Sequence, residues 1–249
     1  VEVQDRVALV TGGASGIGRA VATALAERGA LVAIVDVDEQ GGTEVAAQLD
    51  AEFVAADVSD LHQCLHAVEV IGERLGRIEL VHLNAGVSTG CGVGEDFDLD
   101  AYRRAMGVNL DGVVFGVHAV LPAIRAAGGG AIVATASLAG LTGMVFDPIY
   151  TANKHAVVGL VRALGPVLAS EGIRVNGVCP GFAESKIIEP IREALVAEGL
   201  PIIPAEQVAQ TVLTLFEGEM SGECWYVQAG RSSEPFRFRG IPGPRPDSV

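Results

Sequence analysis

Basic side chains are scarce in this chain: 17 Lys and Arg stand against 31 Asp and Glu, for a formal net charge of -14. A protein that wraps a phosphate backbone or lies on an anionic membrane needs a basic face to offset like-charge repulsion, so neither nucleic acid nor a membrane surface is expected as a partner. Long apolar runs are missing too. Nothing approaches the ~20 consecutive apolar residues that span a bilayer, and residues 1–6 lack the basic start and apolar stretch of a signal peptide. A cytoplasmic protein is expected. Cysteine is sparse: Cys64, Cys91, Cys179 and Cys224 lie far apart with no paired spacing, which argues against a zinc site or a disulfide framework and leaves buried free thiols. His62 and His66 share a helical face at i, i+4, but no acidic or thiol ligand completes a set, so no metal is expected. No internal repeat is visible.

What is present is enough apolar material, 49% of 249 residues, for one sizeable core. Short β-branched runs at residues 7–11, 31–35, 52–56, 80–83, 131–136, 174–178 and 224–227 alternate with longer Ala-rich stretches of helical character. Helices are expected to start after Gly16, Glu39, Ser59, Asp98, Asp147, Glu184 and Pro204. The βαβ rhythm predicts an α/β protein, a single-domain Rossmann fold with a doubly wound, seven-stranded parallel sheet and helices on both faces. Its ligands should gather at the carboxyl ends of the strands. Residues 1–230 form the expected domain. Within it, residues 182–204 carry Pro190, Pro201 and Pro204 around an amphipathic stretch at 187–195 and suggest a substrate lid. Residues 231–249 hold four prolines, four arginines and two phenylalanines, a composition that suits an extended tail, packed on a neighbouring subunit or disordered.

The first strand runs into Thr11-Gly12-Gly13-Ala14-Ser15-Gly16-Ile17-Gly18 and then a helix. Glycines at 12, 16 and 18 let the backbone turn sharply and approach a pyrophosphate, whose charge the open N–H groups of a helix start favour. Asp36 follows Gly18 by eighteen positions, at the end of the second strand. That context predicts dinucleotide binding. A carboxylate there accepts from both ribose hydroxyls and repels a 2′-phosphate, and neither Ala14, Ser15 nor Val37 supplies a cation for one, so NAD is expected over NADP. The competing reading of Asp36 is a helix cap.

Tyr150 and Lys154 fall at i, i+4 on one helix face. A phenol with a pKa near ~10 is a poor general base at neutral pH, and an adjacent ammonium should favour the phenolate. Tyrosine is then the proton carrier and lysine its electrostatic assistant. Ser137 ends the fifth strand, where its hydroxyl can hold a substrate oxygen. Asn84-Ala85-Gly86 follows the fourth strand, with Gly86 permitting close approach to the cofactor, and Asn109 sits inside the next helix, where a polar group needs a reason.

Taken in order, Thr-Gly-x-x-x-Gly-x-Gly, Asn-Ala-Gly, Asn109, Ser137, Tyr-x-x-x-Lys and Pro180-Gly181 resemble the short-chain dehydrogenase/reductase family over residues 5 to about 230. The resemblance implies that Ser137 orients the substrate oxygen, Tyr150 is the acid/base, Lys154 binds the nicotinamide ribose, and Asn109 anchors a water in the proton relay. It also implies that Asp57 and Val58 contact adenine, that Pro180, Gly181 and Phe182 border the nicotinamide, and that the chain forms a homotetramer through the helices that follow Asp98 and Asp147. The stretches 137–141, 148–155 and 175–182 are similar to NAD-dependent hydroxyprostaglandin dehydrogenases, which oxidise secondary alcohols; the likeness fades after Phe182.

Where the family usually repeats an asparagine before Asn84, this chain has His82 and Leu83, and Ser185 replaces a threonine that commonly touches the cofactor amide. Asp147, three residues before Tyr150, has two readings: a charge at the substrate mouth that disfavours anionic substrates, or a helix N-cap. Met144, Val145, Phe146, Ile187, Ile188, Ile191 and Leu195 either wall an apolar pocket for an apolar secondary alcohol or ketone, or are ordinary core. The expected activity is NAD-dependent interconversion of such an alcohol and its ketone. Its rivals are an NADPH-dependent ketone or β-ketoacyl reductase and a dinucleotide-sensing regulator without chemistry.

Overall fold

Runs of Val, Ile, Leu and Ala without polar alternation form strands covered on both faces, as parallel strands must be. In the computed structural model, which describes residues 2–240, they are β1 (Val7–Thr11), β2 (Leu31–Asp36), β3 (Glu52–Ala55), β4 (Ile78–Leu83), β5 (Gly130–Thr135), β6 (Ile173–Pro180) and β7 (Cys224–Val227). All six pairings among them are parallel, in the spatial order β3-β2-β1-β4-β5-β6-β7. The chain reverses its direction of growth between β1 and β4, and the crevice at their carboxyl ends is where a doubly wound sheet binds ligands. One strand was not expected. The tail adds β8 (Glu234–Pro235), antiparallel to β7, and at two residues it is too short to show any period in the sequence. Residues 241–249 of the expected tail lie outside the described residues.

The helices are α1 (Gly16–Glu27), α2 (Glu39–Leu49), α3 (Leu61–Leu75), α4 (Leu99–Met106), α5 (Gly112–Ala127), α6 (Pro148–Leu168), α7 (Arg192–Ala197) and α8 (Ala205–Glu217). Asp38, Asp60, Asp98 and Asp147 cap α2, α3, α4 and α6 by accepting backbone N–H bonds. Such a cap contributes about 1 kcal/mol and sets a negative charge at the positive end of the helix dipole. The helix expected after Glu184 starts later, at Arg192, after a 3₁₀ turn at Glu189–Ile191 that carries Pro190.

A π-helical turn, Gly107–Asp111, joins α4 to α5, so that Leu99–Ala127 runs on as 29 helical residues, long and apolar enough to cross a bilayer. The helix is not a continuous apolar run, so the expectation that no run of ~20 consecutive apolar residues is present is unaffected. Asn109, Asp111 and His118 interrupt the apolar run in the sequence, and in the fold Val113, Val117, Val120 and Ile124 bury against the sheet.

Two apolar layers sandwich the sheet. On one face Ala67 and Ile71 of α3, the α5 residues just named, and Val157, Val158 and Val161 of α6 pack together; on the other, Val21 and Leu25 of α1 meet Val208, Val212 and Phe216 of α8. Each fully buried aliphatic or aromatic side chain contributes roughly 1.5–3 kcal/mol relative to exposure. The segment 182–204 leaves β6 and returns: an isolated bridge pairs Ala183 with Ile203, and the Ile203 N–H donates to the Phe182 carbonyl at 2.7 Å, which pins the two ends of the loop together.

The turn after β5 presses on α6 so closely that a Cβ at Gly140 would lie 2.5 Å from the Lys154 carbonyl oxygen and 2.9 Å from a Val158 methyl. Overpacking of this kind costs about 1–3 kcal/mol. Gly140→Ala is therefore expected to lower the melting temperature by several degrees, whereas Gly143→Ala, which would meet nothing within 4 Å, leaves it unchanged. Equal melting temperatures for the two variants would contradict this packing.

Candidate active site

At the carboxyl edge of β1 the glycine-rich turn takes the shape its sequence demands. Gly12 and Gly16 have φ of +67° and +51°, and a Cβ on Gly18 would lie 2.1 Å from the Gly12 carbonyl oxygen. No residue with a side chain closes that turn. Ser15 stands at the N-cap of α1, and its side chain makes no capping bond. Asp36 reaches across from β2, one oxygen accepting from the Ala14 N–H and the other from the Asp38 N–H, each at 3.0 Å. The cap of α2 is Asp38, which accepts from the Gly41 N–H, so the capping role considered for Asp36 belongs to its neighbour.

Beneath this turn runs a buried polar chain. Asn84 donates from Nδ2 to the carbonyls of Thr11 (3.1 Å) and Gly12 (3.3 Å), and its Oδ1 accepts from the Thr135 hydroxyl at 3.1 Å. Thr135 has one hydroxyl proton and it goes to Asn84. The 2.9 Å bond between Thr135 Oγ1 and His82 Nε2 is therefore donated by the imidazole. That leaves His82 Nδ1 as a buried acceptor without a partner. Burial pushes the His82 pKa down to about 3, so the ring is neutral.

The same Thr135 offers its carbonyl to Lys154 Nζ at 2.9 Å. Lys154 is only 2% exposed, and burial pushes its pKa down to about 8. Its ammonium lies 5.5 Å from the centre of the Tyr150 ring, and Tyr150 hydrogen-bonds with Ser137. Ser137 Oγ also donates to the Pro180 carbonyl at 3.4 Å and accepts from the Ala139 N–H. A Cβ on Gly86 would stand 3.3 Å from Asn109 Oδ1 and 3.6 Å from Lys154 Nζ, so these three expected residues meet at one point. Asn109 clamps the backbone of Val87, accepting from its N–H at 2.8 Å and donating to its carbonyl at 2.9 Å. It does so from the π-helical turn, the kind of irregularity that re-aims a side chain at a functional position.

Lys154 was expected to draw the Tyr150 phenol down. Instead burial, followed by the nearby Asp147 and Cys179, pushes Tyr150 up to about 12, against the opposing pull of the Ser137 bond. The physical reason is that desolvation acts on both partners: it penalises the phenolate and the ammonium alike.

Ser185 packs on the glycine-rich turn, its Cα 3.1 Å from a Cβ built on Gly16, and its hydroxyl donates to the Ala183 carbonyl. Asp57 turns back on itself, accepting from the N–H and hydroxyl of Ser59, and Val58 is buried against Gly112. Gly181 donates to the Val227 carbonyl, and Phe182 is half-buried beside it. Ile17 and Ala85 flank the turn and β4, while Val37 is exposed. Of the apolar wall, Ile188 and Leu195 are core residues, and Val145, Phe146 and Ile191 are exposed. The sequence gives no sign of one further charge: Lys186 pairs with Asp38 at 2.9 Å and feels Asp36 electrostatically, so a cation does approach the end of β2. Among the described residues no cluster of His, Cys, Asp or Glu could hold a metal ion.

The glycine-rich turn leads into the N-terminus of α1, where Ser15 makes no side-chain cap, and the buried Lys154 ammonium has three donors for the one carbonyl bonded to it. Both features fit a nicotinamide dinucleotide. Residues 6–195 match the family model described as short chain dehydrogenase. Cyclohexanol dehydrogenase of Acinetobacter sp. (strain SE19) is 36% identical over 225 residues, 87% of this chain and 90% of that protein. The human 15-hydroxyprostaglandin dehydrogenase [NAD(+)] is 35% identical over 205 residues, 78% of this chain and 74% of the relative. The crystal structure of levodione reductase superposes with a TM-score of 0.84 at 32% identity, covering 91% of this chain and 97% of that one. The chain belongs to the short-chain dehydrogenase/reductase family, oxidoreductases that use nicotinamide dinucleotides.

His82 gives a pH signature. Its folded pKa of about 3 lies below the ordinary 6.5, so as pH falls through 6.5 the unfolded chain takes up a proton that the folded chain refuses, and stability is lost progressively down to about pH 3. The other four histidines are exposed. Between pH 6.5 and 5 the loss from His82 is expected to reach about 2 kcal/mol. His82→Leu should flatten the decline in urea-unfolding free energy over that window, and an unchanged slope would contradict the assignment.

Proposed function

We propose that the chain is an NAD-dependent dehydrogenase that interconverts an apolar secondary alcohol and its ketone. The observation that carries the reading is the convergence of the Ser137 hydroxyl, the Tyr150 phenol and the Lys154 ammonium beside Gly86 and Asn109, below the glycine-rich turn. In oxidation, Tyr150 as phenolate takes the hydroxyl proton at its phenol oxygen. Ser137 holds the substrate oxygen, and the Lys154 charge steadies the anion that forms. NAD, when bound, accepts the hydride. In reduction Tyr150 returns the proton as an acid. Asn109 anchors a water in the relay that re-protonates the lysine end of the site.

Asp36 supports NAD over NADP: its carboxylate is held at the end of β2 by two backbone N–H groups, where a 2′-phosphate would meet its charge. Lys186 is matched by Asp38 and so leaves the local balance acidic. Asp57, Val58, Asn84, Ala85, Pro180, Gly181, Phe182 and Ser185 complete the cofactor contacts. Val145 and Phe146, from the loop before α6, and Ile191, within residues 182–204 that serve as the lid, form the apolar rim. The protein acts as a soluble cytoplasmic homotetramer, assembled through the helical faces that leave Val114 and Val167 exposed.

Tyr150→Phe is expected to leave NAD binding, followed by the quenching of Trp225 fluorescence, nearly unchanged and to cut turnover of cyclohexanol and related alcohols by about a thousandfold or more. Undiminished turnover would sink the mechanism. With Tyr150 raised to about 12, the phenolate fraction grows about tenfold per pH unit, so oxidation should quicken as pH rises from 7 towards 10, whereas the supply of protonated phenol for ketone reduction stays nearly constant over the same range. Steady-state rates with NAD and NADP test the cofactor: Asp36→Ala is expected to raise the KM for NAD about tenfold and to narrow the gap to NADP. Wild-type preference for NADP would overturn the assignment.

A further inference from the structure

Asp147 uses both carboxylate oxygens on two different parts of the chain. Oδ1 accepts from the N–H of Tyr150 at 2.8 Å, which caps α6, and Oδ2 accepts from the N–H of Thr89 at 2.9 Å, on the loop that leaves β4. Thr89 is fully buried, and its own hydroxyl has no partner, so the Asp147 bond is the polar contact that ties it down. Two residues earlier the same loop is clamped by Asn109 at Val87. Residues 87–89 are therefore gripped by one side chain from the π-helical turn and one from the start of the tyrosine helix. Both gripping side chains adjoin the expected catalytic groups.

We propose that Asp147 is a positioning residue, a two-handed carboxylate that locks the first turn of α6, and Tyr150 with it, to the loop after β4. The inference rests on the reading of Tyr150 as the acid/base. A helix cap alone would employ one oxygen, and Ser, Thr or Asn would serve as well. Only a group with two acceptor oxygens on one short stem satisfies two converging N–H donors, and an amide would set its own N–H against that of Thr89. The charge matters as well as the geometry. The groups facing the phenol are the Ser137 hydroxyl from the turn after β5 and three titratable ones, Cys179 from β6, Lys154 on the same helix and Asp147; the carboxylate opposes formation of a second anion beside it.

Asp147→Asn keeps the cap to Tyr150 and removes both the charge and the Thr89 bond; Asp147→Ser keeps only a cap and guards against a folding failure of either variant. Two measurements on the full chain, neither of which needs turnover, test the clasp. Amide hydrogen exchange at Thr89 is expected to rise about tenfold or more in both variants. The ultraviolet difference titration of the Tyr150 phenol, with Tyr150→Phe as the blank, is expected to move to lower pH by about half a unit or more. If either quantity stays at the wild-type value in both variants, Asp147 is a cap and nothing more, and the proposal is overturned. The acid limb of the NAD-dependent oxidation rate separates the two readings. A phenol titration that moves while the rate profile stays fixed upholds the clasp and removes Tyr150 from the role of base.

Discussion

The carboxyl edge of the sheet depends on Thr135. Its carbonyl receives the Lys154 ammonium, and its hydroxyl stands between His82 and Asn84. Through Asn84 the same residue reaches the carbonyls of Thr11 and Gly12, so the lysine and the glycine-rich turn are joined across three strands by consecutive hydrogen bonds. A network of this kind in a low-dielectric interior is costly when incomplete and rigid when complete. Here it is complete except at His82 Nδ1. The cofactor cradle and the proton-transferring helix are thus held at a fixed spacing by backbone carbonyls and short side chains, with few rotatable bonds between them.

The elements legible in the sequence were those whose signals are local. The strand positions followed from apolar runs, and β1 and β7 have the expected bounds. The glycine-rich turn was legible because its three glycines answer to backbone geometry, and Tyr150 with Lys154 because helical spacing puts them on one face. Asp147 as a cap was legible from its place ahead of Pro148.

Contacts between distant segments were not legible. His82 and Thr135 each look like ordinary strand residues, and their 53-residue separation hides the bond between them. Thr89 carries no mark that its N–H would meet Asp147, and Lys186 lies 148 positions from the aspartate it pairs with. The upward shift of Tyr150 is hidden for a related reason: the i, i+4 lysine is visible in the sequence, whereas the burial that raises the phenol is a property of the assembled layers. The Leu99–Ala127 helix shows the same gap, since its polar interruptions hide a length that only the continuous π-helical join reveals.

The short β8 strand has a mechanical consequence. The Phe236 N–H donates to the Cys224 carbonyl, and two residues on, the Phe238 ring lies 3.8 Å under the guanidinium of Arg162 on α6. A sheet can grow only from a strand with free backbone groups. By folding its own continuation onto β7, the chain moves that margin to a two-residue strand, too short to template the addition of another, and the Arg162 contact ties it to the far half of the helix that begins at Pro148. The tail thus rests on the same helix whose opposite end carries Tyr150 and Lys154.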